Sequence, residues 1–238
     1  FNGINNCIDS TSTFFSLSRL QNNDEKFNIM YLTTQRLVSI IVFPLGVGVY
    51  LYSDLATKIM LGSRWSDASG VIGIWALTSA IMIVFGHFCS EVYRAKGKPK
   101  LSFLAQILHL IVLIPACIVS SKYGFWILVY TRAWIRIEGI FVHYILMKYL
   151  IKFPITKTFK NVIPTIVSAI SMGILGYFLQ QINESIIWSF VSIIICAIFY
   201  FSTLFLFPTM RRDMIELVKK VMPKRMKDKI KTVVCKAD

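Results

Sequence analysis

The chain contains six long runs of mainly apolar residues, separated by short polar segments. Each run can cross about 30 Å of hydrocarbon as a helix that rises about 1.5 Å per residue. Backbone groups in lipid must hydrogen-bond within the protein, and the alternating pattern of a β-barrel is absent from the sequence. We therefore predict an all-α, multi-pass integral membrane protein with six transmembrane helices, at 37–61, 70–93, 101–121, 124–150, 162–182 and 187–207.

The composition excludes several other classes of protein. Charged residues make up 16% of the 238 residues, against about 25% in soluble domains. A soluble enzyme, a disulfide-stapled secreted domain and a disordered chain are therefore excluded. The net charge of +14 lies beside hydrophobic runs, which argues against nucleic acid as a partner. The sequence shows no metal-ligand spacing, nucleophile–base pattern or phosphate-binding glycine loop, so we predict no enzymatic activity, no metal and no cofactor.

The basic residues predict the orientation of the spans. If the C-terminal tail is cytoplasmic, the cytoplasmic segments hold most of the cations, including the cluster from Arg94 to Lys100. The outer side then receives only Lys58, Arg64 and Lys122. This asymmetry predicts a plasma-membrane protein with a cytoplasmic C-terminus. The outer connections are short, which argues against a membrane polymerase or ligase of surface sugars.

The fourth span carries a polar stripe. At 100° per residue, Arg132 and Arg136 lie about 40° apart, and His143 returns to within about 20° of Arg132. Arg136 lies about 18 Å from Gly124 along the helix, near the middle of the membrane. Such residues predict an anion site, because a guanidinium offers a planar fork of donors to phosphate. The alternative is a structural ion pair with Glu138 or Glu91.

The second span carries a further polar group, formed by His87, Glu91 and Arg94. Spacings of four and three residues place these side chains on one helix face. Glu91 and Arg94 can form a simple ion pair, or the group can act as a titratable gate or an ion-coupling site. His109 in the third span is interpreted as a packing residue. Asp54 and Lys58, which are four residues apart, are expected to form an ion pair at the membrane interface.

Three stretches of the chain resemble a known family. SRLQNNDEKFNIMYLTTQRL at 18–37 runs into IIVFPLGVGVYLYSDLATKIMLGSRW at 40–65, and EVYRAKGKPK follows at 91–100. The first pair is similar to the cytoplasmic amphipathic segment, the FPL helix and the G-x-x-W outer turn of the polysaccharide transporter family. The third resembles the cytoplasmic alanine–glycine–basic turn of the same family, whose members are flippases of lipid-linked oligosaccharides such as O-antigen units.

The resemblance implies a fold, an activity and partners. The fold is that of the fourteen-helix multidrug/oligosaccharidyl-lipid/polysaccharide exporters, in which our six spans correspond to helices nine to fourteen. The chain is thus expected to be the C-terminal portion of a longer protein. The implied activity is translocation of an undecaprenyl-pyrophosphate-linked repeat unit, with Arg132 and Arg136 as basic residues of the cavity. The implied partners are that lipid-linked oligosaccharide, membrane lipids and other polysaccharide-assembly proteins.

The expected organisation has four parts. They are the end of a preceding span with an amphipathic segment (1–36), four helices of the C-terminal lobe (37–151), a loop with two additional helices (152–207) and a basic cytoplasmic tail (208–238).

Three other functions stay open on the sequence alone. A drug or cation exporter of the same superfamily would need acidic groups where this chain places basic ones. A membrane-embedded polymerase or acyltransferase would need larger outer loops. A structural scaffold would leave the two arginines in the membrane without a role.

Overall fold

The structure is a computed structural model that describes residues 24–151, 155–183, 185–208 and 210–211. The described residues form helices joined by short turns, and this part of the chain contains no strand. The start of the predicted amphipathic part, residues 1–23, and the tail from 212 to 238 lie outside the described residues. The helical segments are α1 Asp24–Leu51, α2 Ser53–Met60, a 3₁₀ turn Ser63–Ala68, α3 Ser69–Met82, a π turn Ile83–His87, α4 Phe88–Ala95, α5 Lys100–Ser121, α6 Phe125–Leu146, a π turn Met147–Ile151, α7 Ile155–Ile182 and α8 Ile186–Phe205.

Five stretches of helix are long and apolar enough to cross a membrane. They are Asp24–Leu51, Ser63–Ala95, Lys100–Ser121, Thr156–Ile182 and Ile186–Phe205. Helix α6 is as long as α5, with 22 residues each. It differs from α5 because its sequence contains three charged residues. The all-α membrane fold is therefore confirmed, and the six predicted spans are close to what the structure contains.

The first and fifth predicted spans differ from the helices at their ends. Helix α1 begins at Asp24, so the predicted boundary at 36/37 falls inside a continuous helix, and α1 ends at Leu51. The helix is interrupted at Tyr52 (φ −100°, ψ 35°), and α2 begins at the next residue. Helix α7 begins at Ile155 and contains Pro164. Hydropathy located the apolar part of each helix, whereas polar first turns continue the same helix into the interface.

The helices pack in the spatial order α5, α6, the α3–α4 span, α1, α7 and α8. Small residues allow the closest approach, which is between α1 and α3, where Gly46 faces Ala80. Helices α1 and α7 are joined by paired hydroxyls, with 3.1 Å between Ser39 Oγ and Thr165 Oγ1. Packing through small residues and short polar contacts is typical of helices in lipid, where burial of apolar surface gives little driving force.

The two ends of the bundle differ in charge. The start of α1 meets the end of α4, where Asp24 forms an ion pair with Lys96 and Lys96 lies 4.6 Å above the ring of Phe27. The start of α7 meets the same region, since Phe159 stacks on Phe85 at 5.3 Å between ring centroids. We call this side the basic end. The opposite end holds α2, the 3₁₀ turn, the connection at 122–124, and the end of α7 with the start of α8.

Candidate functional site

Arg132 and Arg136 both face the α3–α4 span, and Trp75 of α3 is their common neighbour. The guanidinium carbon of Arg136 lies 4.9 Å from the ring centroid of Trp75, and that of Arg132 lies 5.9 Å from it. A spacing of four residues on α6 places the two side chains one turn apart on one face. Both guanidiniums therefore make a cation–π contact with the same indole ring. Each contact contributes about 0.5–2 kcal/mol, depending on solvation.

A hydroxyl fixes the position of Arg136. Its Nη1 donates a hydrogen bond of 2.6 Å to Ser79 Oγ, one turn along α3 from Trp75. A guanidinium carries five N–H donors. Among the described residues, Ser79 supplies the only acceptor to Arg136, so other donors stay available to a ligand or to water. Both arginines are half-buried, which keeps them accessible from one side of the α3–α6 contact.

The carboxylates near this region have other partners. Glu138 Oε2 lies 3.7 Å from His109 Nδ1, and Glu91 Oε1 lies 3.1 Å from Arg94 Nη2. In the described part of the chain, neither Arg132 nor Arg136 has a carboxylate within 4 Å. The structural ion pair considered as the alternative for these arginines is therefore not formed.

His143 lies on the same side of α6 as the arginines but nearer the basic end. Its ring stacks on Tyr93 at 5.9 Å between centroids, and its backbone oxygen accepts a 2.8 Å hydrogen bond from the Tyr93 hydroxyl. Seven residues separate it from Arg136, which is about 10 Å along a helix. The structure thus places all three residues of the predicted stripe toward the α3–α4 span but does not bring His143 beside the arginines.

The polar group predicted in the second span is only partly assembled. Glu91 and Arg94 form an ion pair at a spacing of three residues near the basic end, with 22% and 54% of their side chains exposed. His87 ends the π turn and is exposed. Within the described residues, His87 does not join the Glu91–Arg94 ion pair.

Sequence reasoning missed a second group, formed by His109 and Glu138. Their facing atoms, Nδ1 and Oε2, are buried and have no hydrogen-bond partner among the described residues. Gly139 makes room for the pair, because a β-carbon added there would lie 3.1 Å from His109 Nδ1. The sequence predicts His109 to be a packing residue. Its partner lies on a different helix, and spacing along the sequence does not reveal such a contact.

A third titratable atom, on α6, is also without a partner: Nδ1 of His143 is buried and makes no hydrogen bond within the described part of the chain. The described residues contain no group of three side chains that could hold a metal ion. The chemistry available here is therefore binding of an anion at the arginines and of protons at the histidines and Glu138.

Comparisons with known proteins agree with these features. Residues 2–70 match the family described as "Polysaccharide biosynthesis protein". The chain is 21% identical over 117 residues to the lipopolysaccharide biosynthesis protein WzxC of Escherichia coli strain K12, an alignment that covers 49% of this chain and 24% of the relative. Its fold is similar to that of the lipid II flippase MurJ in the inward closed conformation, with a TM-score of 0.65 and 17% identity.

The structural match covers 88% of this chain and 44% of the MurJ chain. This chain therefore spans less than half the length of these two proteins. The matched family, the relative and the fold agree with the resemblance carried by the sequence motifs. Together with the five long apolar helices they show an integral membrane protein that is similar to polysaccharide biosynthesis proteins in sequence and to a lipid II flippase in fold.

Proposed function

We propose that this chain forms part of a flippase that moves undecaprenyl-pyrophosphate-linked oligosaccharide repeat units across the plasma membrane for surface polysaccharide biosynthesis. One observation carries the proposal. Two half-buried guanidiniums lie together over Trp75, with no carboxylate within 4 Å among the described residues. Uncompensated cations inside a membrane are costly, and a diphosphate supplies the missing negative charge.

The chemistry of the headgroup fits this arrangement. Pyrophosphate offers several anionic oxygens, and each guanidinium can engage two of them at once through its planar fork. The ring of Trp75 contacts both guanidiniums, and the hydroxyl of Ser79 orients Arg136. His143, about 10 Å nearer the basic end along α6, extends the polar stripe and would meet the headgroup before it reaches the arginines.

The proposal includes an orientation. The basic end faces the cytoplasm, because cations are enriched in cytoplasmic loops, and the opposite end faces outward. The polyprenyl chain stays in lipid while the sugars occupy a hydrated space beside α6. The further partners are membrane lipids and other polysaccharide-assembly proteins.

Ion coupling forms the second part of the proposal. His87, Glu91 and Arg94 remain candidates for a gate, since the Glu91–Arg94 ion pair lies where the basic end would open. We add His109 and Glu138 as coupling residues, because their buried Nδ1 and Oε2 atoms lie 3.7 Å apart, a pair that can share one proton. Arg136 and His143 lie on α6 with Glu138, and His87 lies on the second span.

The arginines are tested in the intact protein, in cells whose surface polysaccharide depends on it. A hydrogen bond to a charged group contributes about 1.5–3 kcal/mol, so Arg136→Ala is expected to lower the amount of lipid-linked oligosaccharide at the outer face about 10- to 100-fold. Arg136→Lys keeps the charge but not the fork, and an intermediate loss is expected. Arg64→Ala removes an exposed arginine at the opposite end and serves as the matched control.

The coupling residues are tested by the pH dependence of the same flipping assay. Glu138→Gln and His109→Gln should flatten it, whereas Glu91→Gln should change it only if the gate titrates. Unchanged flipping in Arg132→Ala and Arg136→Ala, at normal abundance in the membrane, would contradict the proposed headgroup site.

A further inference from the structure

A site of a different kind lies at the other side of the bundle, between α1, α2 and α8. An apolar groove of about 480 Å³ runs along these helices and is lined by residues such as Ile41, Pro44, Gly48, Phe190 and Phe201. None of its lining residues comes from α3, α5 or α6, the helices that carry the arginine and histidine groups. The groove is therefore separate from the proposed headgroup site.

A polar cavity continues the groove at the opposite end of the bundle. It has a volume of about 490 Å³, and its polar lining includes Asp54, Lys58, Gln180, Asn183 and Ser189. Each volume lies within the range of about 300–1,000 Å³ typical of ligand sites. The two cavities share Leu51, Tyr52 and Leu55 as lining residues, so they adjoin at the helix break as an apolar and a polar part of one site.

The helix break at Tyr52 lies where the two parts join. Gln180 Nε2 donates a 2.6 Å hydrogen bond to the backbone oxygen of Leu51, which ties α7 to the break. The Tyr52 side chain is 6% exposed, and its hydroxyl has no hydrogen-bond partner among the described residues.

The polar part contains two charged residues, Asp54 and Lys58, that are not joined in an ion pair. Asp54 and Lys58 were expected to form an ion pair, but in the described part of the chain neither has an oppositely charged partner within 4 Å. Both are exposed at the cavity and lie one turn apart on α2. The polar part thus presents one positive and one negative group, and its charged lining residues sum to zero.

We propose that this space binds a zwitterionic phospholipid with a phosphoethanolamine headgroup. Lys58 holds the phosphate, and Asp54 holds the ammonium group. One acyl chain lies in the apolar groove. Ile40 to Leu55 spans about 22 Å of helix, and one leaflet of hydrocarbon is about 15 Å thick, so the groove has the length of a single acyl chain.

The neutral charge of the polar part distinguishes this ligand from other lipids. An anionic phospholipid would leave Asp54 facing a negative headgroup, and like charges at close range repel. A pyrophosphate-linked lipid would leave the same repulsion with a larger negative charge. Phosphoethanolamine is complementary to both side chains, and its three ammonium N–H groups suit the carboxylate and amide oxygens of the cavity.

Native mass spectrometry of the intact, detergent-purified protein tests the proposal without any transport assay. The protein is mixed with equal amounts of phosphatidylethanolamine and phosphatidylglycerol, and retention of each lipid is measured. The native protein should retain one phosphatidylethanolamine in preference to phosphatidylglycerol. Exposed ion pairs contribute about 0.2–1 kcal/mol, so Asp54→Asn and Lys58→Gln should each lower that retention about two- to fivefold.

The two charge variants also differ in sign. Asp54→Asn leaves the cavity positive and should shift the preference toward phosphatidylglycerol, whereas Lys58→Gln should disfavour it further. Gly48→Leu tests the groove, because no atom lies within 4 Å of a β-carbon added at Gly48 and the side chain would occupy the acyl path. Retention should fall in this variant while the melting temperature is maintained. Asp67→Asn, also exposed at the opposite end but outside the cavity, is the control.

Three results would overturn the proposal: a preference of the native protein for phosphatidylglycerol, equal retention in Asp54→Asn, or displacement of phosphatidylethanolamine by a lipid-linked oligosaccharide. Because the readout is lipid retention, failure here leaves the arginine site untouched, and failure of the flipping assay leaves this site untouched.

Discussion

The close contact between α1 and α3 gives a sharp test of the fold. A β-carbon added at Gly46 would overlap the Cβ of Ala80 and lie 3.3 Å from the backbone oxygen of Ala76. Ordinary contacts between carbon atoms are about 3.5–4.0 Å, so the two helices would have to separate by about 1 Å. Gly46→Ala should therefore carry an overpacking cost of about 1–3 kcal/mol. The intrinsic gain of alanine over glycine in a helix, about 0.5–1 kcal/mol, offsets part of it.

Gly48 provides the matched control, because it lies two residues away on the same helix and has no atom within 4 Å of an added β-carbon. Gly48→Ala should gain the same helix propensity without the clash. Subtracting one variant from the other leaves the steric cost alone, about 1–3 kcal/mol. For a chain of this size that corresponds to a difference in melting temperature of about 2–12 °C.

Thermal unfolding of the detergent-purified protein, followed by tryptophan fluorescence, measures this difference. The same separation of the helices should weaken the 3.2 Å hydrogen bond from Gln35 Nε2 to the backbone oxygen of Val84, which also joins α1 to the second span. Gln35→Leu should therefore be less destabilising in the Gly46→Ala background than in the native protein. Equal melting temperatures for Gly46→Ala and Gly48→Ala would refute the reasoning, since the two variants differ only in what the new methyl group meets.

Three further predictions concern the sites. Trp75→Leu removes the ring beneath both arginines and should lower flipping about tenfold, as expected for two cation–π contacts of about 0.5–1 kcal/mol each; Trp65→Leu, an exposed tryptophan at the opposite end, should leave flipping unchanged. Gly139→Ala would press on His109 Nδ1 at 3.1 Å and should alter the pH dependence of flipping with little loss of abundance, whereas an unchanged profile would count against the pair. Cysteines placed at Lys58 and Lys122 should react with an impermeant thiol reagent added outside whole cells, and one placed at Lys98 should not; the reverse pattern would contradict the orientation.

Hydropathy located the five helices that are long and apolar enough to cross a membrane, because the cost of placing polar backbone or charge in lipid is large and local to the sequence. The ends of the helices were harder to predict. The first turns of α1 and α7 are polar and continue each apolar helix into the interface, where water solvates them. Hydropathy therefore does not mark the residue at which either helix starts. The break at Tyr52 has no proline or glycine at the site itself and could not be located from residue type.

The arginine stripe was predictable because it depends only on helical period. The same period places Trp75 and Ser79 on one face of α3, but that this face meets the arginines depends on which helices become neighbours. The pairing of His109 with Glu138 was not predictable. It depends on which helices become neighbours, and helices α5 and α6 each offer several faces. Glu138 lies two residues from Arg136, a spacing that places the two side chains on different faces of α6, and it faces His109 of α5 instead.

The buried groups that can change charge lie on one side of the bundle. Between α1, α7 and α8, the polar contacts involve hydroxyl, amide and guanidinium groups, as in Ser39 with Thr165 and Arg36 Nη1 with Asn161 Oδ1, and the buried hydroxyls that lack partners among the described residues, such as Ser168 Oγ, are neutral. Between α3, α5 and α6, the buried atoms without hydrogen-bond partners in the described part of the chain include those of His109, Glu138 and His143. Ionisable groups are expensive in a membrane, so an anionic headgroup or a proton arriving there changes the free energy of the α5–α6 side far more than that of the other half. If the chain works as proposed, the α5–α6 side is therefore the one that shifts when its charge changes.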